Sequence, residues 1–230
     1  MKYVAEIHAV GEVTLIGGAD ANYWRDRLRP LDLQPALASG DAEVMLSATS
    51  ASYLGLPFCE LSISVFVNSK QSDAPRAAVY LTHAYNSNRL LAFCERSFFR
   101  TPYYPAQLAV SAKLPISVTL GPLDRPRLHL VMAVESVASH SRDEQGEWSG
   151  PLFLPPRGTR PCDLFFARLK GATDYRAFEP AADRFVVCST TEEPALLALV
   201  ESNFAPRQWS IRPNATHART KTYTRVAAGL

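Results

Sequence analysis

The chain has 230 residues, of which 47% are hydrophobic and 20% are charged, and its formal net charge at pH 7 is +2. That composition is typical of a globular protein, and the small net charge, without a stripe of clustered Lys and Arg between aromatic residues, excludes an electrostatic argument for a nucleic-acid partner. No apolar run approaches the roughly 18 residues of a membrane-spanning helix, so we expect no membrane partner.

The cysteines and prolines indicate the cellular compartment and the class of fold. The four cysteines are widely spaced and include no C-x-x-C pair, which argues against a zinc site and favours reduced thiols. The first residues do not read as a signal peptide, because charged and polar side chains interrupt any apolar stretch. These observations predict a cytoplasmic protein. Seventeen prolines against 11 glycines indicate many stiff turns, which favours a mainly β chain.

The first 50 residues predict strands around one short helix. Residues 2–16 are typical of one or two short strands, with Gly17 and Gly18 as breakers. Asp20 is placed to cap a short helix over residues 21–28. An extended connection follows, and residues 42–49 again predict a strand.

Strict alternation marks residues 58–67 as a strand. One face, predicted to be core, carries Cys59, Leu61, Ile63, Val65 and Val67. The other face carries Phe58, Glu60, Ser62, Ser64 and Phe66 and is either exposed to solvent or the polar lining of a barrel. A polar loop then leads to residues 76–83, which we expect to pair with this strand as a hairpin.

A dense mixture of charged and aromatic residues occupies positions 94–104. An apolar run at 90–94 precedes it and is predicted to be a strand. Residues 106–120 follow and alternate again, but Pro115 interrupts them, so they form an edge strand, a bent strand or two strands. Such a mixture between two strands is typical of the mouth of a pocket, and equally of a polar loop over a core.

The second half of the chain continues the β pattern. Strands are predicted at 127–137, 162–169 and 184–188, with a polar loop or hairpin tip at 139–150. The best helix covers 192–203, with Thr190 or Thr191 as its cap. Eight to ten short strands with few helices predict an antiparallel, closed or nearly closed sheet in a single domain spanning 1–230.

Two stretches of the chain resemble landmarks of the acetoacetate decarboxylases and their relatives. The first is Gly55-Leu56-Pro57-Phe58-Cys59-Glu60, and the second is Glu95-Arg96-Ser97-Phe98-Phe99-Arg100-Thr101-Pro102-Tyr103-Tyr104. The resemblance covers about residues 42–135. It implies an antiparallel conical β-barrel of the acetoacetate decarboxylase type with an enclosed pocket, a helix in the C-terminal half and assembly as a homo-oligomer.

The chain departs from that family where the reaction would occur. The resemblance implies a lysine after the proline, which forms a Schiff base with a ketone substrate. Here Tyr103 and Tyr104 follow Pro102, and a phenol cannot form an imine. The nearest downstream lysine is Lys113, and nothing equates it with the family's nucleophile. A Schiff-base decarboxylase is therefore not expected.

The resemblance implies which residues form the site. Glu60 corresponds to a pocket carboxylate, although a glutamate on a wet strand face fits the pattern equally well. Arg96 corresponds to an arginine that would bind a carboxylate or enolate, with a surface arginine paired with Glu95 as the alternative. Tyr103 and Tyr104 would act as acids or hydrogen-bond donors, and at most one of them faces the pocket because consecutive strand residues point to opposite sides. Further candidate substrate contacts are Phe58, Arg100 and Lys113.

Three functions remain open from the sequence. The first is an enzyme that uses acid/base chemistry on a small carbonyl or carboxylate compound, by dehydration, isomerisation or cyclisation, in a biosynthetic setting. The second is a barrel that binds a small molecule without turnover. The third is a scaffold domain with a filled barrel. Neither a metal-ligand cluster nor a Gly-rich phosphate loop is found in the sequence, so we expect no metal and no cofactor.

Overall fold

The computed structural model of the chain describes residues 2–68, 78–133, 140–157, 162–188 and 193–224. The helices are α1 (Ala21–Leu28), α2 (Arg89–Phe98) and α3 (Pro194–Glu201), with a 3-10 turn at Arg29–Leu31. The strands are β1 (Ala5–Ala19), β2 (Gln34–Pro35), β3 (Leu37–Ala38), β4 (Asp41–Tyr53), β5 (Leu56–Asn68), β6 (Ala78–Asn86), β7 (Tyr103–Pro105), β8 (Leu108–Ser111), β9 (Ile116–Leu120), β10 (Leu128–Met132), β11 (His140–Asp143), β12 (Glu147–Phe153), β13 (Asp163–Lys170), β14 (Thr173–Ala177), β15 (Arg184–Val187), β16 (Ala205–Arg219) and β17 (Tyr223–Thr224).

Seven strands close into a barrel in the order β16, β1, β4, β5, β6, β12 and β13, and β13 pairs back onto β16. The mainly β barrel and the helix in the C-terminal half that the sequence predicts are confirmed. The ring is not wholly antiparallel, because β12 runs parallel to β6 where Leu152 pairs with Val79. The connection from β6 to β12 is long, because it includes α2 and the second sheet. After such a connection a strand can join the barrel in either direction, so the local sequence does not predict that this pair is parallel. That residues 1–230 form a single domain stays a prediction.

A second sheet, ordered β15, β10, β9 and β8, packs against the outside of the barrel. The main core lies between them, together with side chains of α1 and α3. It includes Leu46, Leu61, Ile63 and Val65 of the barrel wall, Ile116, Val118, Leu128 and Leu130 of the second sheet, and Trp24, Leu28, Leu196 and Leu199 of the helices. The alternating segment 106–120 is thus two strands, β8 and β9, which is one of the three arrangements that Pro115 allows.

The structure decides between the two alternatives that the sequence left open for the polar face of β5. Leu61, Ile63, Val65 and Val67 are fully or almost fully buried in the main core, as predicted, whereas Cys59, predicted with them, is only partly buried. The opposite face points into the barrel. The prediction that it forms a polar lining is therefore confirmed, and the alternative that it is exposed to solvent is wrong. The predicted hairpin is also confirmed, because β6 pairs antiparallel with β5.

Two local predictions are wrong. The apolar run at 90–94 belongs to α2 and not to a strand, because Asn88 caps this helix by accepting hydrogen bonds from the backbone N–H groups of Leu90 and Leu91. Gly17 and Gly18 do not break the first strand, since β1 continues through both. The helices at 21–28 and 194–201 are confirmed, and Asp20 caps the first. The predicted caps of the second helix, Thr190 and Thr191, lie outside the described residues.

Segment 139–150, predicted as a polar loop or hairpin tip, contains β11, a turn and the start of β12. All four cysteines are free. In the described ranges, no helix has the length and apolar character needed to cross a membrane.

Candidate active site

The barrel encloses a cavity of about 420 Å³. Its walls are the inward-facing side chains of β1, β4, β5, β12, β13 and β16, and α2 adds one side. Inward positions alternate along each strand, so β5 contributes Phe58, Glu60, Ser62, Ser64 and Phe66. A cavity of this size can hold a small organic molecule.

Glu60 is the central acidic group of this cavity. Its Oε2 accepts a hydrogen bond of 3.1 Å from the Tyr103 hydroxyl, and its Oε1 accepts one of 2.8 Å from Asn86 Nδ2. Burial and the negative charge of Glu95 raise the pKa of Glu60 to about 7, although both hydrogen bonds and the charge of His217 act to lower it. A carboxyl group with this pKa exchanges protons readily near neutral pH.

Tyr103 reaches the cavity because of the register of β7. This strand runs parallel to β6 and places Tyr103 beside Ala84 and Tyr104 beside Tyr85. Burial, with the charges of Glu60 and Glu95, raises the pKa of Tyr103 well above its usual value. The phenol therefore stays protonated at neutral pH and remains a hydrogen-bond donor.

Glu95 enters from α2 and meets Arg219 of β16. Arg219 Nη1 lies 2.6 Å from Glu95 Oε2, which also accepts a hydrogen bond of 2.7 Å from Thr101 Oγ1. The guanidinium lies 4.0 Å from the ring centroid of Phe165 and 4.4 Å from that of Phe99. Its Nη2 is buried and has no hydrogen-bond partner among the described residues. Arg219 therefore lines the cavity with one guanidinium nitrogen unpaired among the described residues.

A second charged group is centred on Glu12 of β1. Arg212 Nη1 and His217 Nε2 each lie 2.6 Å from a Glu12 carboxylate oxygen, and Thr14 Oγ1 donates a hydrogen bond to Glu12 at 3.2 Å. Burial alone would raise the pKa of Glu12, but the hydrogen bond from His217 and the charges of His217 and Arg212 lower it to about 2. Glu12 is therefore fully ionised at neutral pH, whereas Glu60 titrates there.

The structure brings three of the predicted site residues together in the cavity, namely Phe58, Glu60 and Tyr103. Tyr104, the next residue along β7, points to the other side and stacks on His83 with ring centroids 4.7 Å apart. This arrangement agrees with the expectation that at most one of the two tyrosines faces the pocket.

The other predicted residues lie outside the cavity. Arg96 sits on the outer side of α2, with its guanidinium 5.5 Å from the ring centroid of Tyr104. The alternative pairing of Arg96 with Glu95 does not form, because Glu95 binds Arg219. Arg100 forms an ion pair with Asp163 at 3.2 Å, and Lys113 is exposed in the turn between β8 and β9. Arg96 is therefore not among the residues that line the cavity, whereas Arg212 and Arg219 are.

Sequence reasoning missed the charged residues of β1 and β16. Ser210 and Arg212 alternate with the buried Trp209 and Ile211, which is a visible signal that a polar face of this strand points into a cavity. Glu12, the partner of Arg212, is 200 residues away in sequence, so only the pairing of β16 with β1 brings the two together. Among the described residues, no group of three or more His, Cys, Asp and Glu side chains is placed to hold a metal ion.

No family model and no curated protein sequence matches this chain. Solved structures do match it. An acetoacetate decarboxylase superposes with a TM-score of 0.67 at 14% identity, covering 96% of this chain and 88% of the other. The acetoacetate decarboxylase of Legionella pneumophila gives 0.67 at 11% identity, covering 96% and 87%.

A third similar structure is MppR, an enduracididine biosynthesis enzyme, complexed with the condensation product of pyruvate and imidazole 4-carboxaldehyde. It superposes with a TM-score of 0.61 at 10% identity, covering 97% of this chain and 90% of the other. No lysine is found among the described residues that line the cavity of the present chain. The chain thus has the acetoacetate decarboxylase-like fold, as its two resembling stretches predict.

Proposed function

We propose that this protein is an enzyme that performs acid/base chemistry on a small carbonyl or carboxylate compound, without a Schiff base. The observation that carries the proposal is Glu60, a carboxyl group inside the cavity with a pKa of about 7. Perturbed titratable groups in a cavity are a common property of catalytic sites. The similarity to acetoacetate decarboxylases and to MppR supports an enzyme on this fold.

Each polar group has a role in this proposal. The Glu60 carboxylate removes a proton from the carbon next to the substrate carbonyl, and the electron pair of the broken C–H bond forms an enolate. Arg219, which lines the cavity, binds the substrate carboxylate or the enolate oxygen. The protonated Tyr103 hydroxyl, now bonded to Glu60, can donate to the same oxygen. Protonated Glu60 then returns the proton to the substrate.

This step is common to several reactions. Isomerisation returns the proton to another atom, dehydration expels a hydroxyl group from the enolate, and cyclisation uses the enolate as a nucleophile. The presence of the cavity argues against the third alternative, a scaffold domain whose barrel is filled by side chains. Between an enzyme and a ligand cup without turnover, the raised pKa of Glu60 favours the enzyme.

The test is exchange of α-protons in D2O, followed by proton NMR with pyruvate and 2-oxohexanoate as probes. We expect the protein to accelerate exchange over buffer, with a rate that rises with pH and levels off above about 7, because the ionised form of Glu60 is the base. Glu60→Gln should lower the rate at least about 100-fold, the usual contribution of a general base.

The matched control is Glu144→Gln, which removes an exposed carboxylate on the β11–β12 turn. Exchange no faster than in buffer, or a Glu60→Gln protein as active as the parent, would contradict the proposal and favour the ligand cup. Assembly as a homo-oligomer remains a separate prediction, which sedimentation equilibrium checks.

A further inference from the structure

We infer that the substrate of this cavity has two ends, a carbonyl or carboxylate head and a long apolar arm. The inference deepens the proposed function and rests on it for the head. It follows from how polarity changes along the inner wall of the barrel, where strand register places side chains of like character side by side.

Three rows of registered neighbours cross β1, β4 and β5. The first row is charged and contains Glu12, Thr49 and Glu60, with Arg212 paired to Glu12 at one end. The second row carries only hydroxyl groups and contains Thr14, Ser47 and Ser62. The third row contains Ile16, Met45 and Ser64. All these residues line the cavity.

Apolar side chains from two walls meet beyond the hydroxyl row. Phe66 and Val79 form a buried cluster, and Ile16, Met45, Trp148 and Leu152 pack against it. All six line the cavity, and the last four are only partly buried. No charged group separates Met45 from Phe66 on this wall. This end presents apolar surface to a substrate group, and the exposed side chains of Asp143 and Glu147 also line the cavity.

Distance along β5 sets the length of the arm. Glu60 and Ser64 are four residues apart on the strand, and Phe66 lies two residues further. At about 3.3 Å per residue, the apolar end begins roughly 13 Å from Glu60. A substrate as short as pyruvate, bound at Glu60, would leave Met45 and Phe66 without contact. An extended alkyl or aralkyl chain would pass the hydroxyl row and reach them.

The test is a calorimetric titration with straight-chain 2-oxo acids of one head group, namely pyruvate, 2-oxohexanoate and 2-oxodecanoate. Burial of each methylene group is expected to tighten binding by about fourfold. We therefore expect 2-oxodecanoate to bind at least about 100-fold more tightly than pyruvate. Met45→Gln and, independently, Ser64→Phe should lower this affinity ratio at least about tenfold, by polarity in the first case and by obstruction in the second.

Leu123→Gln is the control, because Leu123 is 79% exposed in a turn outside the cavity, and it should keep the parent ratio. Equal affinity for the three acids, no binding by any of them, or a ratio unchanged in Met45→Gln would overturn the inference. Proton exchange and binding, both measured on the parent protein, separate the two claims. Loss of chain-length preference with proton exchange intact removes the apolar arm alone, whereas chain-length preference without exchange removes the proposed chemistry alone.

Discussion

Glu60 and Glu12 show how one cavity holds two carboxyl groups whose pKa values are shifted in opposite directions. Glu12 has Arg212 and His217 within hydrogen-bonding distance, and their interactions with its carboxylate lower its pKa. Glu60 has neutral donors and a second carboxylate, Glu95, as its electrostatic neighbour. A neutral donor stabilises the anion less than a cation does, so burial dominates at Glu60. Both residues are glutamates, and it is their neighbours that set the difference between their pKa values.

The pKa of Glu60 is the first prediction at this scale. We expect the carboxyl group to titrate near pH 7, as seen in the difference between infrared spectra of the parent and Glu60→Gln across pH. Glu95→Gln should lower that midpoint, because it removes a negative charge that disfavours ionised Glu60. Glu144→Gln should not move it. A midpoint below 5 in the parent protein would show that burial does not govern this group.

The candidate site was only partly predictable at the residue scale. Glu60 and Tyr103 could be predicted as site residues, because each lies in a short stretch with its own local pattern. Arg219 was not, since its position in the cavity depends on pairing with β13 through Ala167 and on Glu95 arriving from α2. The resemblance favours Arg96 as the arginine that binds a carboxylate or enolate, because it lies in the resembling stretch. The neighbouring Glu95 points inward in its place, because helical geometry sends adjacent residues to different faces.

At the scale of elements, the glycines of β1 have a purpose other than breaking the strand. A Cβ at Gly17 would collide with the carbonyl oxygen of Ala205 and the ring of Phe204. The register of β1 with β16 shifts between Ile16 and Gly17, and this close approach accompanies the shift. Glycine in a strand often marks such an approach and need not mark an end.

Gly17→Ala should therefore lower the free energy of unfolding by about 2 kcal/mol, the usual cost of an added group in a packed site. Urea denaturation measures it. Gly18→Ala is the matched comparison, because its Cβ would meet the guanidinium of Arg207, a flexible side chain that can move. We expect a smaller loss there. Equal losses at the two positions would mean that the contact with the Ala205 backbone does not matter.

Helix α2 marks the limit of sequence reasoning for an element. A short apolar run such as 90–94 fits a buried strand or one face of a helix equally well. Asn88 gives the deciding signal, as its side chain caps the helix. The strong alternation of β5 has no such ambiguity, and it was readable because strands with two different environments carry a period of two.

At the scale of the whole molecule, the two buried carboxyl groups give folding opposite pH dependences. The pKa of Glu12 is depressed to about 2, so its stabilising contribution is present above its unfolded pKa and is lost as pH falls toward 2. The pKa of Glu60 is raised to about 7, so its contribution is present below its unfolded pKa and is lost as pH rises from there toward 7.

Glu60→Gln isolates the second effect, because glutamine does not titrate. Relative to the parent, the variant should gain stability between pH 5 and pH 8, by on the order of 3 kcal/mol if the whole shift from an unfolded Glu is expressed. Urea denaturation at both pH values gives the difference. Glu144→Gln serves as the exposed reference. A relative stability that stays constant, or falls, over this range would contradict a raised pKa.

The barrel as a whole was predictable as a class of fold, although the strand pairs that close it were not. Period-two strands and scarce helices predicted a closed sheet, and the resembling stretches pointed to the type. The parallel pair of β12 and β6 and the return of β13 to β16 depend on contacts between segments far apart in the chain. Their formation is decided by the packing of whole surfaces, which no local pattern encodes.

The two faces of β5 have a consequence for how such proteins diverge. Its outward residues, such as Ile63 and Val65, hold the core, whereas its inward residues, such as Ser62 and Ser64, contact only the cavity wall and its contents. Mutations on the inner face can accumulate without disturbing the architecture. A descendant can thus exchange its reactive groups one at a time while it still folds. The present chain shares its fold with an acetoacetate decarboxylase at 14% identity, and no described residue of its cavity wall is a lysine.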